Sequence, residues 1–163
     1  MMEIKLPNRK SIRLKHFNYQ AGVYFITICT YKMKRTLSEI KENAVSLTEF
    51  GHIIENSLLM TQQSFKSSEI HHYAIMPNHL HFILQIHDES LSQSTLSDFI
   101  CSFKSNSTIQ IIKAVKSGKL EPFDKRIWHR NYYEHVIRNE KEYLLKRDYI
   151  VRNPYRWEED EFY

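Results

Sequence analysis

Two histidines, His79 and His81, flank a single leucine in the segment Met76-Pro77-Asn78-His79-Leu80-His81. The apolar run from the first histidine onward reads as a strand over 79–86, and a strand sends residues i and i+2 to the same face. The two imidazoles therefore stand side by side, about 6 to 7 Å apart at the backbone. Neutral imidazole is a common metal donor, so the pair is the start of a metal site. It is also the pattern of two satisfied or surface histidines in a chain with nine, where His71-His72 form another close pair. Zinc would usually want a further His, Cys or carboxylate at recognisable spacing, and none is evident.

A second cluster is Lys146-Arg147-Asp148-Tyr149-Ile150-Val151-Arg152-Asn153-Pro154. Tyr149 and Asn153 are four apart and share a helix face. The following proline disfavours α geometry at Asn153, which puts it in the last turn, with its side-chain oxygen able to aim away from the axis. Arg147 and Arg152 supply positive charge nearby. A phenol titrates near pH ~10, so a nucleophilic tyrosine needs a cation or metal beside it. The plainer alternative is an ordinary packed tyrosine, one of ten, ahead of a helix stop.

The elements that must position these residues follow from periodicity. Residues 22–31 (GVYFITICTY) are aromatic and β-branched on both alternating faces, which fits a central strand covered on both sides. Segments 36–40 and 44–47 suggest a short hairpin. Apolar residues at Leu47, Phe50, Ile53, Ile54, Leu58 and Leu59 have helical spacing over 47–60, with Ser46 or Thr48 as N-cap. Residues 70–76 read as a strand, and Pro77-Asn78 as the turn before the paired histidines. Ser94 or Thr95 caps a helix running to about Val115 and ending at Ser117-Gly118-Lys119. Residues 121–136 read as an irregular aromatic connection. Asn139 opens a last helix with Tyr143, Leu144, Ile150 and Val151 as apolar anchors, stopped by Pro154. This order predicts an α+β fold: an antiparallel, ferredoxin-like sheet with helices packed mainly on one face.

Composition narrows the classes. The 163 residues suit one domain, 1–163, and 42% hydrophobic with 26% charged residues excludes wholesale disorder and a collagen-like fibre. Charges interrupt every apolar run short of the roughly 20 residues a membrane helix needs, and no basic-then-apolar signal sequence is seen, so no membrane association and a cytoplasmic location are expected. Three glycines cannot build a Gly-rich phosphate loop. Cys29 and Cys101 fit no CxxC pattern and read as reduced thiols. The net charge of +4 hides an asymmetry: residues 1–35 hold eight basic side chains against Glu3 alone, while 158–161 are four consecutive acids. A basic N-terminal arm over 1–20 attracts polyanions, nucleic acid above all, or simply aids solubility. The acidic stretch reads as a tail, 158–163.

Together the segments YAIMPNHLHFIL (73–84) and YIVRNP (149–154) resemble the IS200/IS605-type tyrosine transposases, in particular the REP-associated tyrosine transposases. RKSIRLKHFNY (9–19), AGVYFITICTY (21–31), Phe103-Lys104-Ser105 and IWHRNYYEHVIRNEKEYLLKRD (127–148) appear in the order of that pattern, so the resemblance spans nearly the whole chain. It implies a ferredoxin-like or RRM-like fold and an enzyme that binds single-stranded DNA beside a hairpin, or palindromic, element and cuts it with a tyrosine. It implies that His79 and His81 are the paired metal-binding histidines, Tyr149 the nucleophile and Asn153 the third metal ligand. The implied cofactor is Mn²⁺ or Mg²⁺. On this reading Arg9, Lys10, Arg13 and Lys15 track phosphates, with Lys104 and Arg130 as further contacts, and Tyr132 and Tyr133 stack bases. The resemblance leaves monomer and homodimer open, because relatives of both kinds exist.

The expected function is thus metal-dependent cleavage and strand transfer of single-stranded DNA through a 5′-phosphotyrosine. Two rivals are a non-catalytic binder of nucleic-acid hairpins and a phosphoesterase that uses activated water, with Tyr149 structural.

Overall fold

The computed structural model of the protein describes residues 21–42, 44–87 and 95–163. The arm expected over 1–20, with Arg9, Lys10, Arg13 and Lys15, lies outside the described residues, as does Ser94.

Strand β1 (Gly22–Cys29) is central, as its two apolar faces require. After it come the hairpin β2 (Ser38–Lys41) and β3 (Ala44–Leu47), helix α1 (Glu49–Ser64), strands β4 (Ser68–Ile75) and β5 (His79–Ile86), helix α2 (Leu96–Lys116), strand β6 (Tyr133–Ile137) and helix α3 (Glu140–Arg152). The four-stranded sheet has the order β4-β5-β1-β6 with every neighbour antiparallel. Strands β1 and β4 run parallel with β5 between them, which is the split βαβ arrangement the ferredoxin-like expectation called for. Between Ile70 and His72 the β4–β5 ladder carries a bulge.

The main core lies between the sheet and helices α1 and α2. Tyr24, Ile26 and Ile28 of β1 and Leu80, Phe82 and Leu84 of β5 pack there against Ile54, Leu58, Phe99 and Phe103. Both helices start at side-chain caps. Thr48 accepts from Gly51 N at 3.0 Å. Thr95 and Asp98 form a reciprocal capping box, satisfying two amides that would otherwise lack partners. Helix α1 begins one residue past its cap and runs four residues beyond the expected end at 60.

Helix α3 takes the opposite face of the sheet. Phe25, Ile83, Ile137 and Ile150 form a smaller core there, with Val23, Ala74 and Tyr143 against it. Of the expected α3 anchors, Ile150 is buried and Tyr143 half-buried, but Leu144 and Val151 are exposed. A single helix resting on a sheet buries a narrow stripe, and these two fall outside it.

The connection expected to be irregular over 121–136 contains β6, an edge strand that pairs with β1 from Thr27↔Tyr133 to Val23↔Ile137. Only Ile137 of its five residues is buried, so neither alternation nor an apolar run marks it. Its partner strand supplies the hydrogen bonds that make it a strand.

Candidate active site

Alternation along β5 separates two tasks. Leu80, Phe82 and Leu84 enter the main core, while His79, His81 and Ile83 face the side covered by α3. Cross-strand pairing sets Cys29 beside His79 and Thr27 beside His81. The turn before the histidines is tied down at several points. Thr30 N and Thr30 Oγ1 both donate to Asn78 O at 2.9 Å, Leu37 N donates to Pro77 O at 3.0 Å, and Ser38 Oγ donates to Ile75 O at 2.8 Å. His79 and His81 are 0% and 1% exposed, and their ring centroids are 4.4 Å apart.

Each ring is held at Nδ1. Asn78 Nδ2 donates to Phe162 O at 2.7 Å, which leaves Asn78 Oδ1 to accept from His79 Nδ1 at 2.9 Å. Thr27 Oγ1 meets His81 Nδ1 at 2.8 Å. Asn78 Oδ1 makes His79 Nδ1 the donor and leaves its Nε2 lone pair free, and the Thr27 hydroxyl can accept from His81 Nδ1 in the same way, the tautomer in which a metal ligand is normally fixed by its other nitrogen. Burial pushes His79 down to about 3. Burial, with His79 and Lys146 adding to it, holds His81 well below its ordinary value. Both rings are therefore neutral at physiological pH.

Tyr149 lies over the pair from α3, with its ring 5.2 Å from that of His81 and 5.8 Å from that of Phe25. It is 40% exposed and lines a solvent-filled cleft. Burial, followed by the charges of Asp160 and Glu161, raises the phenol to about 12, while Asn153 opposes the shift. Asn153 follows α3 directly and is 4% exposed. The influence of Asn153 on the phenol does not amount to a well-formed hydrogen bond, because both of its amide atoms lack a partner.

Among the described residues, four buried side-chain atoms have no hydrogen-bond partner: His79 Nε2, His81 Nε2, Asn153 Nδ2 and Asn153 Oδ1. Orphaned buried polar atoms are uncommon, and these belong to the three residues expected to bind metal. Two imidazole nitrogens and an amide oxygen suit a divalent ion such as Mn²⁺. The donor chemistry of the site thus fits a metal.

The site opens into a cleft of about 1290 Å³ lined by Phe25, His81, Tyr133, Lys146, Tyr149 and Asn153, among others. Lys146 Nζ lies 4.6 Å from the centre of the Phe25 ring, so its ammonium overlooks the histidine face. Arg130 is exposed on the cleft wall. Lys104 turns its ammonium to the backbone, donating to the carbonyls of His129, Arg130 and Asn131 at 3.0, 3.3 and 3.4 Å. It thereby holds the loop that carries Arg130. Of the two tyrosines, Tyr133 is exposed on the cleft, while Tyr132 packs partly into the main core.

Residues 17–153 match the family described as Transposase IS200 like. The chain belongs to the IS200-like transposase family. An uncharacterized Haemophilus influenzae protein is 35% identical over 97% of this chain and 94% of its own length. A second protein of that organism, provisionally named a REP-associated tyrosine transposase, is 25% identical over 83% of this chain and 71% of its own. Among solved structures, a REP-associated tyrosine transposase bound to a REP hairpin aligns with a TM-score of 0.63 at 20% identity, covering 89% of this chain and 73% of that one. A provisionally assigned transposase from Deinococcus radiodurans aligns at 0.55 and 16% identity, over 86% of this chain and 95% of its own. This IS200-like transposase is accordingly a DNA-processing enzyme with the α+β fold of those structures. No helix among its described residues is long and apolar enough to cross a membrane.

Several residues of this transposase site carry little signal in the sequence. Thr27 and Asn78 matter through the cross-strand register and the turn. Asp160 and Phe162 lie in what reads as an acidic tail. Its two closing aromatics, Phe162 and Tyr163, were the available hint that the segment packs.

Proposed function

We propose that the protein cleaves and rejoins single-stranded DNA beside hairpin elements, with Tyr149 as nucleophile and a divalent metal held by His79, His81 and Asn153. The observation that carries this reading is the meeting of a phenol with two buried imidazoles whose Nε2 atoms have no partner.

In the proposed reaction the Tyr149 oxygen attacks the scissile phosphorus. The new Tyr–O–P bond replaces the P–O3′ bond, giving a 5′-phosphotyrosine and a free 3′-hydroxyl. The phenolic proton passes to solvent base and the departing 3′-oxygen takes up a proton. A bound divalent ion would supply charge neutralisation on the phosphate oxygens. Asn78 and Thr27 keep the imidazoles oriented through their Nδ1 atoms. Lys146 offers a further positive charge to the phosphate from across Phe25. Arg130 on the cleft wall, and Arg9, Lys10, Arg13 and Lys15 of the arm, contribute phosphate contacts along the strand. Because the linkage to Tyr149 keeps the phosphodiester's bond energy, a 3′-hydroxyl can reverse the step and join strands.

Incubation of the protein with end-labelled hairpin oligonucleotides and Mn²⁺ tests this. The expected product is a protein–DNA adduct that survives denaturation and is absent in Tyr149→Phe. Cleavage without an adduct would assign the chemistry to water, and binding without cleavage would make the protein a hairpin binder.

A further inference from the structure

We infer that Asp160 is an additional metal-ligating side chain, delivered to the histidine pair by the chain's last residues. The inference rests on the metal reading proposed above and adds to it a donor from a segment whose sequence reads as an acidic tail.

After α3 the chain makes a short 3₁₀ turn, Asn153–Glu159, and folds back over the site. The Phe162 ring lies 4.8 Å from His79 and 6.3 Å from His81. Trp157 and Tyr163 meet edge to face with ring centroids 5.3 Å apart, and the Arg35 guanidinium lies 4.6 Å from the Tyr163 ring centre. The same Asn78 that orients His79 donates to Phe162 O. The position of the segment is thereby coupled to that of a metal-binding ring.

These contacts turn the Asp160 carboxylate inward, with 2% of its side chain exposed. Asp160 Oδ1 accepts from Phe162 N at 2.8 Å. The other oxygen, Oδ2, lies 3.9 Å from His79 Nε2, too far for a hydrogen bond. One ligand atom each from His79, His81 and Asp160 lie within 4.8 Å of one another. Ligands sharing one divalent ion at its usual bond lengths sit about 3 to 4 Å apart, so only a small contraction is required.

Charge gives a second argument. A carboxylate removed from water is costly unless a cation compensates it. Its neighbour across 3.9 Å is the His79 imidazole, which carries no permanent charge to set against it. Among the described residues no lysine or arginine pairs with it, and the nearby Arg35 is engaged with Trp157 and Tyr163. A divalent ion between Asp160 and the two Nε2 atoms would neutralise the carboxylate and partner the nitrogens together. It would also receive an anionic oxygen, which two imidazoles and an amide lack, and which favours a hard ion such as Mn²⁺ or Mg²⁺.

Mn²⁺ binding to the full chain, followed by calorimetry and by loss of the free-ion electron paramagnetic resonance signal, tests the inference without relying on activity. Wild type should bind one ion and His81→Ala should lose it. Asp160→Asn keeps an oxygen to accept from Phe162 N, and should bind at least about tenfold more weakly. Glu161→Gln should bind as wild type does, separating ligation from the general charge of the acidic stretch. The rise in melting temperature on adding Mn²⁺ should shrink in Asp160→Asn in step with its affinity, and Asp160→Ser gives the same comparison if the asparagine variant folds poorly. If wild type binds Mn²⁺ and Asp160→Asn matches it, the role of Asp160 is overturned and the histidine site stands. If wild type does not bind, the metal reading itself falls.

Discussion

Thr27 Oγ1 lies 2.8 Å from His81 Nδ1 across the paired central strands, so one hydroxyl fixes the orientation of a buried ring. Thr27→Val preserves shape and removes that hydroxyl. The ring then loses the partner that keeps its Nε2 lone pair directed into the site. Mn²⁺ affinity should fall by roughly tenfold, as for other groups that hold a metal ligand from behind. Stability should fall by about 1 to 3 kcal/mol, because a buried nitrogen is left unpaired. Calorimetric titration and urea unfolding check the two effects separately, and unchanged Mn²⁺ affinity would remove Thr27 from the site.

Lys146 is one turn before Tyr149 on α3, with its ammonium 4.6 Å from the centre of the Phe25 ring. In the proposed mechanism a cation there can meet the non-bridging oxygens of the phosphate that Tyr149 attacks. Removing one such fixed charge commonly costs about a hundredfold in rate. Lys146→Met should therefore lower single-turnover cleavage by about that factor, while hairpin affinity, spread over many phosphate contacts, falls far less. Equal losses in both would make Lys146 a binding residue only.

Lys104 gives a pH prediction away from the histidines. Burial pulls its ammonium from 10.5 down to about 8, against the opposing influence of Cys101 and Cys29. Between these two values the unfolded chain binds the proton and the folded chain releases it. Stability therefore rises with pH across that window, and below about 8 the folded protein carries the full burden of a buried charge. Urea midpoints of wild type minus those of Lys104→Met should climb from pH 8 to pH 10. A flat difference would mean that the ammonium is as well solvated as in the unfolded chain.

What could be read in advance followed from local period. The i, i+2 spacing in β5 put His79 and His81 on one face, and the i, i+4 spacing put Tyr149 and Asn153 on one side of α3. The ferredoxin-like order followed from the succession of apolar segments. What could not be read depended on pairing between distant segments. Strand β6 exists because β1 offers it an edge. Thr27 meets His81 because the register places them opposite each other. Asp160 reaches His79 only because Phe162, Trp157 and Tyr163 dock beside it, and a run of four acids contains no trace of that docking. Lys104, expected as a phosphate contact, turns to the loop at 129–131 because only the fold brings those carbonyls to it.

The last prediction concerns whether one chain suffices. Helix α3 packs on its own sheet through Ile150 and Tyr143, and Tyr149 lies 5.2 Å from His81 of the same chain. A site built this way needs no tyrosine from a second copy. In the proposed mechanism Tyr149→Phe lacks the nucleophile and His81→Ala a metal ligand, so each alone should form no adduct. In an assembly that exchanges α3 between subunits, mixing the two variants would reunite an intact tyrosine with an intact histidine pair. With the site complete in one chain, no mixture can do so. Adduct formation by the equimolar mixture should therefore stay at the background of the single variants, even after joint unfolding and refolding. Recovery toward a quarter to a half of wild-type yield would show that the helix is traded between subunits, and that the arrangement within one chain is not the active one.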